Sequence, residues 1–261
     1  MKTSLKIFFL LLVCGWTSVY AQKLPIVQKE GVYAPANVKI DGKPTEWNNE
    51  FKAYNKSTEV FYTIANDDNN LYLTIQAIEP EVINKIIGGG ITLTINKYGN
   101  KKDKKGISIT YPVTEGDAAP RFLLSGRSVV NLSAKEIETM IAGYNKKLGQ
   151  SFKWIKLAGV AGQDELISVY NQDGFKVAGL FDKKKHYTYE LSVPLKYLEV
   201  LIGEVSKFTY HLMINGRKQN IIMFEVLPGQ QAPPIVAKMN EKMAQMAVPT
   251  DFWGEYTLAK N

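Results

Sequence analysis

The stretch Phe61-Tyr62-Thr63-Ile64-Ala65-Asn66-Asp67-Asp68-Asn69-Asn70-Leu71-Tyr72-Leu73-Thr74-Ile75-Gln76-Ala77 decides the fold class. Leu71, Leu73, Ile75 and Ala77 alternate with Tyr72, Thr74 and Gln76, the period-2 pattern of a strand with one face in a core and the other toward water. The polar run from Asn66 to Asn70 suits a hairpin turn, because Asn and Asp accept left-handed backbone and bond their own main chain. It lacks the regular oxygen spacing of a calcium loop.

Working outward, the same alternation returns at Ile91-Leu93-Ile95, Ile107-Ile109-Tyr111-Val113, Tyr187-Tyr189-Leu191-Val193 and Phe208-Tyr210-Leu212-Ile214. Further strands are expected at 166–170, 175–180, 221–226 and 252–258. The breaks are turn chemistry: Gly88-Gly89-Gly90, Tyr98-Gly99-Asn100, Asn171-Gln172-Asp173-Gly174 and Asn215-Gly216. Many short strands divided in this way predict an all-β fold, an antiparallel β-sandwich of immunoglobulin-like or jelly-roll-like kind. Its core is expected to hold both Ile40 and Leu258, with Trp47 closing one end and Trp253 buried in the last strand. Two segments change period. Ser133 stands three residues before Glu136 as a capping box, ahead of Ile137, Met140, Ile141, Tyr144 and Leu148 at helical spacing. Ile235, Met239, Met243 and Met246 form an apolar stripe on a second helix over 234–248, expected to pack on the sandwich edge or to meet a protein partner.

The chain begins as an exported protein does. Lys2 and Lys6 precede the apolar run Ile7 to Val13, and Val19-Tyr20-Ala21 ends in residues suited to cleavage, so residues 1–21 read as a signal peptide. The apolar run is too short to span a bilayer. Lipidation at Cys14 fits less well, since Val13 stands where a lipoprotein needs a small residue. The expected organisation is 1–21 signal peptide, 22–36 N-terminal extension and 37–261 one sandwich domain, located in the periplasm, the cell envelope or outside the cell. Cys14 is the single cysteine of the 261 residues, so the mature chain has no disulfide and depends on its hydrophobic core. Without Lys2 and Lys6 the formal charge falls from +7 to +5. The lysine clusters at 101–105 and 183–185 contain no interleaved aromatic residue, which argues against nucleic acid.

Catalytic chemistry finds little footing. His186 and His211 are the two histidines, without metal-pair spacing or an evident nucleophile. No nucleophile elbow, phosphate loop or dinucleotide fingerprint is present. No cofactor or metal is implied. Glycoside hydrolysis needs only two facing carboxylates, for which the loop residues Glu115, Asp117, Asp164 and Glu165 are the candidates.

Ile40-Asp41-Gly42-Lys43 with Glu46-Trp47, Phe61 to Asp68, Leu71-Tyr72-Leu73, Tyr189-Glu190-Leu191-Ser192-Val193-Pro194-Leu195 and Trp253-Gly254-Glu255-Tyr256-Thr257-Leu258 together resemble family 9 carbohydrate-binding modules and their wider relatives. The resemblance spans about Asn37 to Leu258, with Ser125 to Glu165 inserted. It implies a sandwich that binds a glycan or oligosaccharide between aromatic side chains, a sugar ring having an apolar C–H face and a hydroxyl rim. Where the family often has an aspartate after its central strand, this chain has Ile95-Asn96-Lys97, which counts against a metal there. The aromatic candidates for ligand binding are Trp154, Tyr98 and Tyr111, with Arg121 after Pro120 as a hydroxyl reader. Three functions follow: a non-catalytic exported glycan-binding module, a hydrolase of O-glycosyl bonds, or an envelope interaction protein that keeps the scaffold without the sugar site.

Overall fold

The expected hairpin is the centre of a two-layered all-β sandwich. A computed structural model describes residues 23–100, 106–113, 119–120, 122–124, 131–198, 206–217, 231 and 233–261. The leader with Cys14, the lysines at 101–105, Glu115, Asp117, Arg121 and the strand expected at 221–226 lie outside those residues. Among the described residues no helix is long and apolar enough to cross a membrane.

Among the described residues eleven strands run in chain order: β1 Ala53–Asn55, β2 Val60–Asn66, β3 Asn70–Ala77, β4 Ile91–Lys97, β5 Ile107–Tyr111, β6 Trp154–Ala158, β7 Leu166–Ser168, β8 Lys176–Phe181, β9 Tyr187–Pro194, β10 Lys207–Ile214 and β11 Thr250–Thr257. They form a five-stranded sheet, β1-β2-β3-β9-β8, and a six-stranded sheet, β11-β10-β4-β5-β6-β7. Every neighbouring pair is antiparallel. The β2–β3 turn is built by Asp67, whose Oδ1 accepts the amides of Asn69 at 2.7 Å and Asn70 at 2.6 Å, while Oδ2 accepts the Tyr72 hydroxyl at 2.6 Å. Burial alone would raise its pKa, but these donors outweigh it and hold the carboxyl below the usual range.

Leu71, Leu73 and Ile75 point into the core, where they meet Leu93, Ile95, Leu212 and Ile214 of the opposite sheet. The two layers also share polar contact: Tyr62 and Tyr210 hydroxyls lie 3.1 Å apart, and the Gln28 amide donates to Tyr62 at 2.9 Å. Gly254 makes room for this, since a Cβ there would sit 2.3 Å from the Tyr210 ring. Among the described residues three helices connect strands. α1 (Pro80–Gly89) buries Val82, Ile83, Ile86 and Ile87. α2 (Ala134–Ser151) has the expected capping box at Ser133. α3 (Pro234–Ala247) buries no residue.

The strap formed by residues 38–49 departs from expectation. It crosses the outer face of the five-stranded sheet, where Trp47 packs on Tyr72 with ring centroids 6.3 Å apart. Trp47, Ala34, Ala65 and Tyr72 form a second small core with Ile40 against it, while Leu258 belongs to the main one. Trp47 therefore plates a sheet face rather than closing an end. The outward residues Tyr72 and Thr74, expected toward water, are buried beneath it.

The strap is pinned by a carboxylate. Glu190, on β9 beside Thr74, accepts the amides of Asp41 at 3.1 Å and Gly42 at 2.8 Å through Oε2. Gly42 has φ of +81°, and a Cβ there would press into Leu180 at 2.8 Å, so only glycine takes this turn without strain. The early Ile-Asp-Gly and late Tyr-Glu-Leu segments of the sequence are thus two halves of one clamp.

Candidate functional site

Among the described residues the outer face of the six-stranded sheet has no such strap. Register places Trp253, His211, Thr94, Ser108 and Ala158 in one outward row across β11, β10, β4, β5 and β6. The His211 and Trp253 rings stack 4.3 Å apart at an interplanar angle of 11°. Asp251, two residues before Trp253, holds His211 Nε2 at 2.6 Å. Trp253 is half-buried on this face, not in the core as its sequence setting suggested. Among the described residues β10 is the sole sheet neighbour of β11, and His211 covers the face of the indole on that side. Hydroxyl pairs floor the sheet beside it: Thr94 with Ser108 and Thr92 with Thr110, both at 2.8 Å.

Trp154 lies on this same face, 37% exposed at the start of β6. The register puts it four strands and four residues from Trp253, about 19 Å across and about 13 Å along. Tyr98 is also exposed, yet it follows β4 at the far end, about 26 Å along the strands from the level of Trp154. There Gly99 donates to Thr209 Oγ1 at 3.0 Å, and Lys207 lies over the Tyr98 ring at 5.4 Å. Tyr111 corrects the expectation outright. It is buried against Phe152 and Tyr189, and desolvation pushes its phenol up to about 12. These three aromatics do not converge on one ligand, and Arg121 lies outside the described residues. The sequence missed Trp253 because its neighbours Phe252 and Tyr256 do face the core, and a tryptophan among them read as one more inward ring.

Of the four loop carboxylates named for hydrolysis, Asp164 and Glu165 lie among the described residues. Glu165 is paired with Lys156 at 2.7 Å, which holds its carboxyl below the usual range through hydrogen bonding and charge. Among the described carboxyls with a resolved shift, Glu190 is the one raised, to about 7, by burial that its two backbone donors only partly offset. A raised carboxyl in a cleft is a candidate acid, but Glu190 is 0% exposed beneath the strap. Among the described residues no group of three or more His, Cys, Asp or Glu is placed to hold a metal ion.

Helix α3 rests on α1 through a Lys242–Glu81 ion pair. Met243 and Met246 are half-buried, whereas Ile235 is 66% and Met239 37% exposed, so the expected apolar stripe is only partly covered.

No known protein family matches the chain, and no curated protein does. Among solved structures it is similar to a family 9 carbohydrate-binding module from Caldicellulosiruptor kristjanssonii in complex with glucose, at 10% identity and a TM-score of 0.41, over 88% of this chain and 95% of that one.

Proposed function

We propose that the chain is an exported, non-catalytic module that binds a glycan on the outer face of its six-stranded sheet. The observation that supports it is the braced tryptophan: Trp253 is held upright by a parallel His211, itself fixed by Asp251. An indole braced on one face by a fixed imidazole suits the apolar C–H side of a pyranose, and ordering it before binding removes an entropic penalty. Asp251 and the threonine and serine hydroxyls offer acceptors and donors for the sugar rim. Trp154 gives the same face a second aromatic contact for an extended chain.

The test is a glycan array and polysaccharide pull-down with the chain from residue 22 onward, alongside Trp253→Ala and Trp154→Ala. Retention is expected to fall at least about tenfold in Trp253→Ala, equivalent to about 1.4 kcal/mol, and less in Trp154→Ala. Absence of glycan binding, or binding unchanged by Trp253→Ala, overturns the reading.

A second reading is favoured by α3. A helix that buries none of its residues and exposes Ile235 and Met239 suits an adaptable contact with a protein partner. Crosslinking in an envelope fraction, abolished by Ile235→Ser with Met239→Ser, would support it in place of the glycan.

A further inference from the structure

Among the described residues two acidic or basic side chains are buried, Glu190 under the strap and Lys85 on α1. Lys85 is 6% exposed, and its Nζ donates to Thr250 Oγ1 at 3.1 Å, at the first residue of β11. Among the described residues no carboxylate lies within ion-pair distance of it. An ammonium carries three donors, and taking it out of water costs stability unless its charge is met. Desolvation lowers its pKa, and the more distant charge of Glu59 acts in the opposite sense.

Lys85 and Thr250 both line a cavity of 570 Å³ between α1, α3 and the β1–β2 turn, within the size range of small-molecule sites. The lining is graded from inside to outside. Buried Val82 and half-buried Met246 add apolar wall beside the lysine, while Glu59 and Glu241 are exposed and make an acidic rim. Glu81 also lines the cavity but is taken up by Lys242. Among the described residues Glu241 meets the neutral amide of Gln245, at 3.4 Å, and Glu59 meets no cation within ion-pair distance. Glu59 is nonetheless fixed. Its backbone takes a left-handed φ of +53°, in a turn closed by Asn55 Oδ1, which accepts the amides of Ser57 at 3.0 Å and Thr58 at 3.1 Å. The wall supplied by α3 is anchored by the Lys242–Glu81 pair and by the Met246 carbonyl, which accepts the Arg217 amide at 2.8 Å.

We infer that this cavity binds a small zwitterion, a dipeptide of apolar residues with both ends free, its carboxylate on Lys85 and Thr250, its side chains along Val82 and Met246, and its ammonium toward Glu59 and Glu241. The ligand carboxylate would supply the countercharge that the buried lysine lacks at contact distance. A plain carboxylate would be opposed by the acidic rim and a plain amine by the lysine, so the two signs together select a molecule that carries both. Lys85 and the rim acids stand too far apart to pair, and two residues set the ends of a peptide as much as about 7 Å apart. The cavity shares no residue with the Trp253 face and does not rest on glycan binding.

The experiment is calorimetric titration of the chain from residue 22 with leucyl-leucine and alanyl-valine, and with N-acetyl-leucyl-leucine and leucyl-leucinamide as forms blocked at one end. Leucyl-leucine is expected to bind, and blocking either end should weaken it about tenfold or more. Lys85→Met, which keeps an unbranched side chain without the charge, should weaken it by a similar factor. Glu59→Gln, on the exposed turn, should weaken it several-fold, and this loss should not add to that of the acetyl block, since both remove the same contact. Should Lys85→Met fail to fold, Glu59→Gln and the blocked peptides carry the test. Three results overturn the inference: no binding of either dipeptide, blocked peptides held as tightly as free ones, or leucyl-leucine affinity unchanged in folded Lys85→Met or in Glu59→Gln.

Discussion

Thr74 and Thr94 hold equivalent positions, outward-facing threonines in the middle of central strands, yet Thr74 is 1% exposed and Thr94 is half-buried in a hydroxyl pair. The strap makes the difference. Over the five-stranded sheet it brings Trp47 onto Tyr72 and sets backbone amides against a buried carboxylate. Over the six-stranded sheet the corresponding tryptophan, Trp253, packs on a histidine at the surface and seals nothing. One face has been turned into a third layer. The other, among the described residues, keeps a half-buried row of paired hydroxyls on its outer side.

The largest effect expected from this contrast is on stability. Trp47→Ala removes a side chain that is 8% exposed and empties the small core beneath the strap, which should destabilise the fold by about 3–5 kcal/mol. Trp253→Ala, on the bare face, should change stability by no more than about 1 kcal/mol. Denaturant midpoints for the two variants test this directly. Similar losses would mean that the second tryptophan is as structural as the first.

The clamp under the strap predicts a pH dependence of stability. Glu190 ionises near 7 in the folded chain and near 4.5 when unfolded, so between those values the folded state binds the extra proton. Its contribution is fully present below about pH 4.5 and is lost as pH rises through about 7, a fall of about 3 kcal/mol. Asp67, with a lowered pKa, acts in the opposite sense at more acid pH, so the comparison must be with Glu190→Gln. Melting temperatures from pH 4 to 8 should decline for the parent and flatten for the variant. Parallel curves would show that Glu190 is not the titrating group.

How much of this was legible in the sequence differs between the layers. The inward faces were read correctly from alternation, because Leu71, Leu73 and Ile75 or Leu212 and Ile214 repeat at period two whatever covers the sheet outside. Alternation is silent about the outside, so Tyr72 and Thr74 read as solvent-facing when the strap at 38–49 buries them from far upstream in the chain. The helix α1 was hidden for a related reason: Val82, Ile83, Ile86 and Ile87 were overshadowed by the glycines at 88–90, which end a helix rather than join two strands. At the site, Trp154 was named as a ligand candidate because it lies outside the segments that carry the family resemblance, and it is 37% exposed. Tyr111 was misread, since a tyrosine at a strand end gives no sign of which ring waits across the core.

The smallest effect is on the bare face itself, and it asks whether that face is stabilised for its own sake. Thr94 and Ser108 are opposite one another on β4 and β5 with hydroxyls 2.8 Å apart, a cross-strand pair that water can also reach. Such pairs contribute about 0.2–1 kcal/mol, and partial exposure places this one toward the lower end. A double-mutant cycle of Thr94→Val and Ser108→Ala should therefore give a coupling energy of about 0.5 kcal/mol or less. Coupling well above 1 kcal/mol would assign the hydroxyl floor to the fold, as Thr74 is assigned beneath the strap. Weak coupling, together with loss of glycan retention in the same variants, would mean that these hydroxyls are kept for a ligand rather than for the sheet.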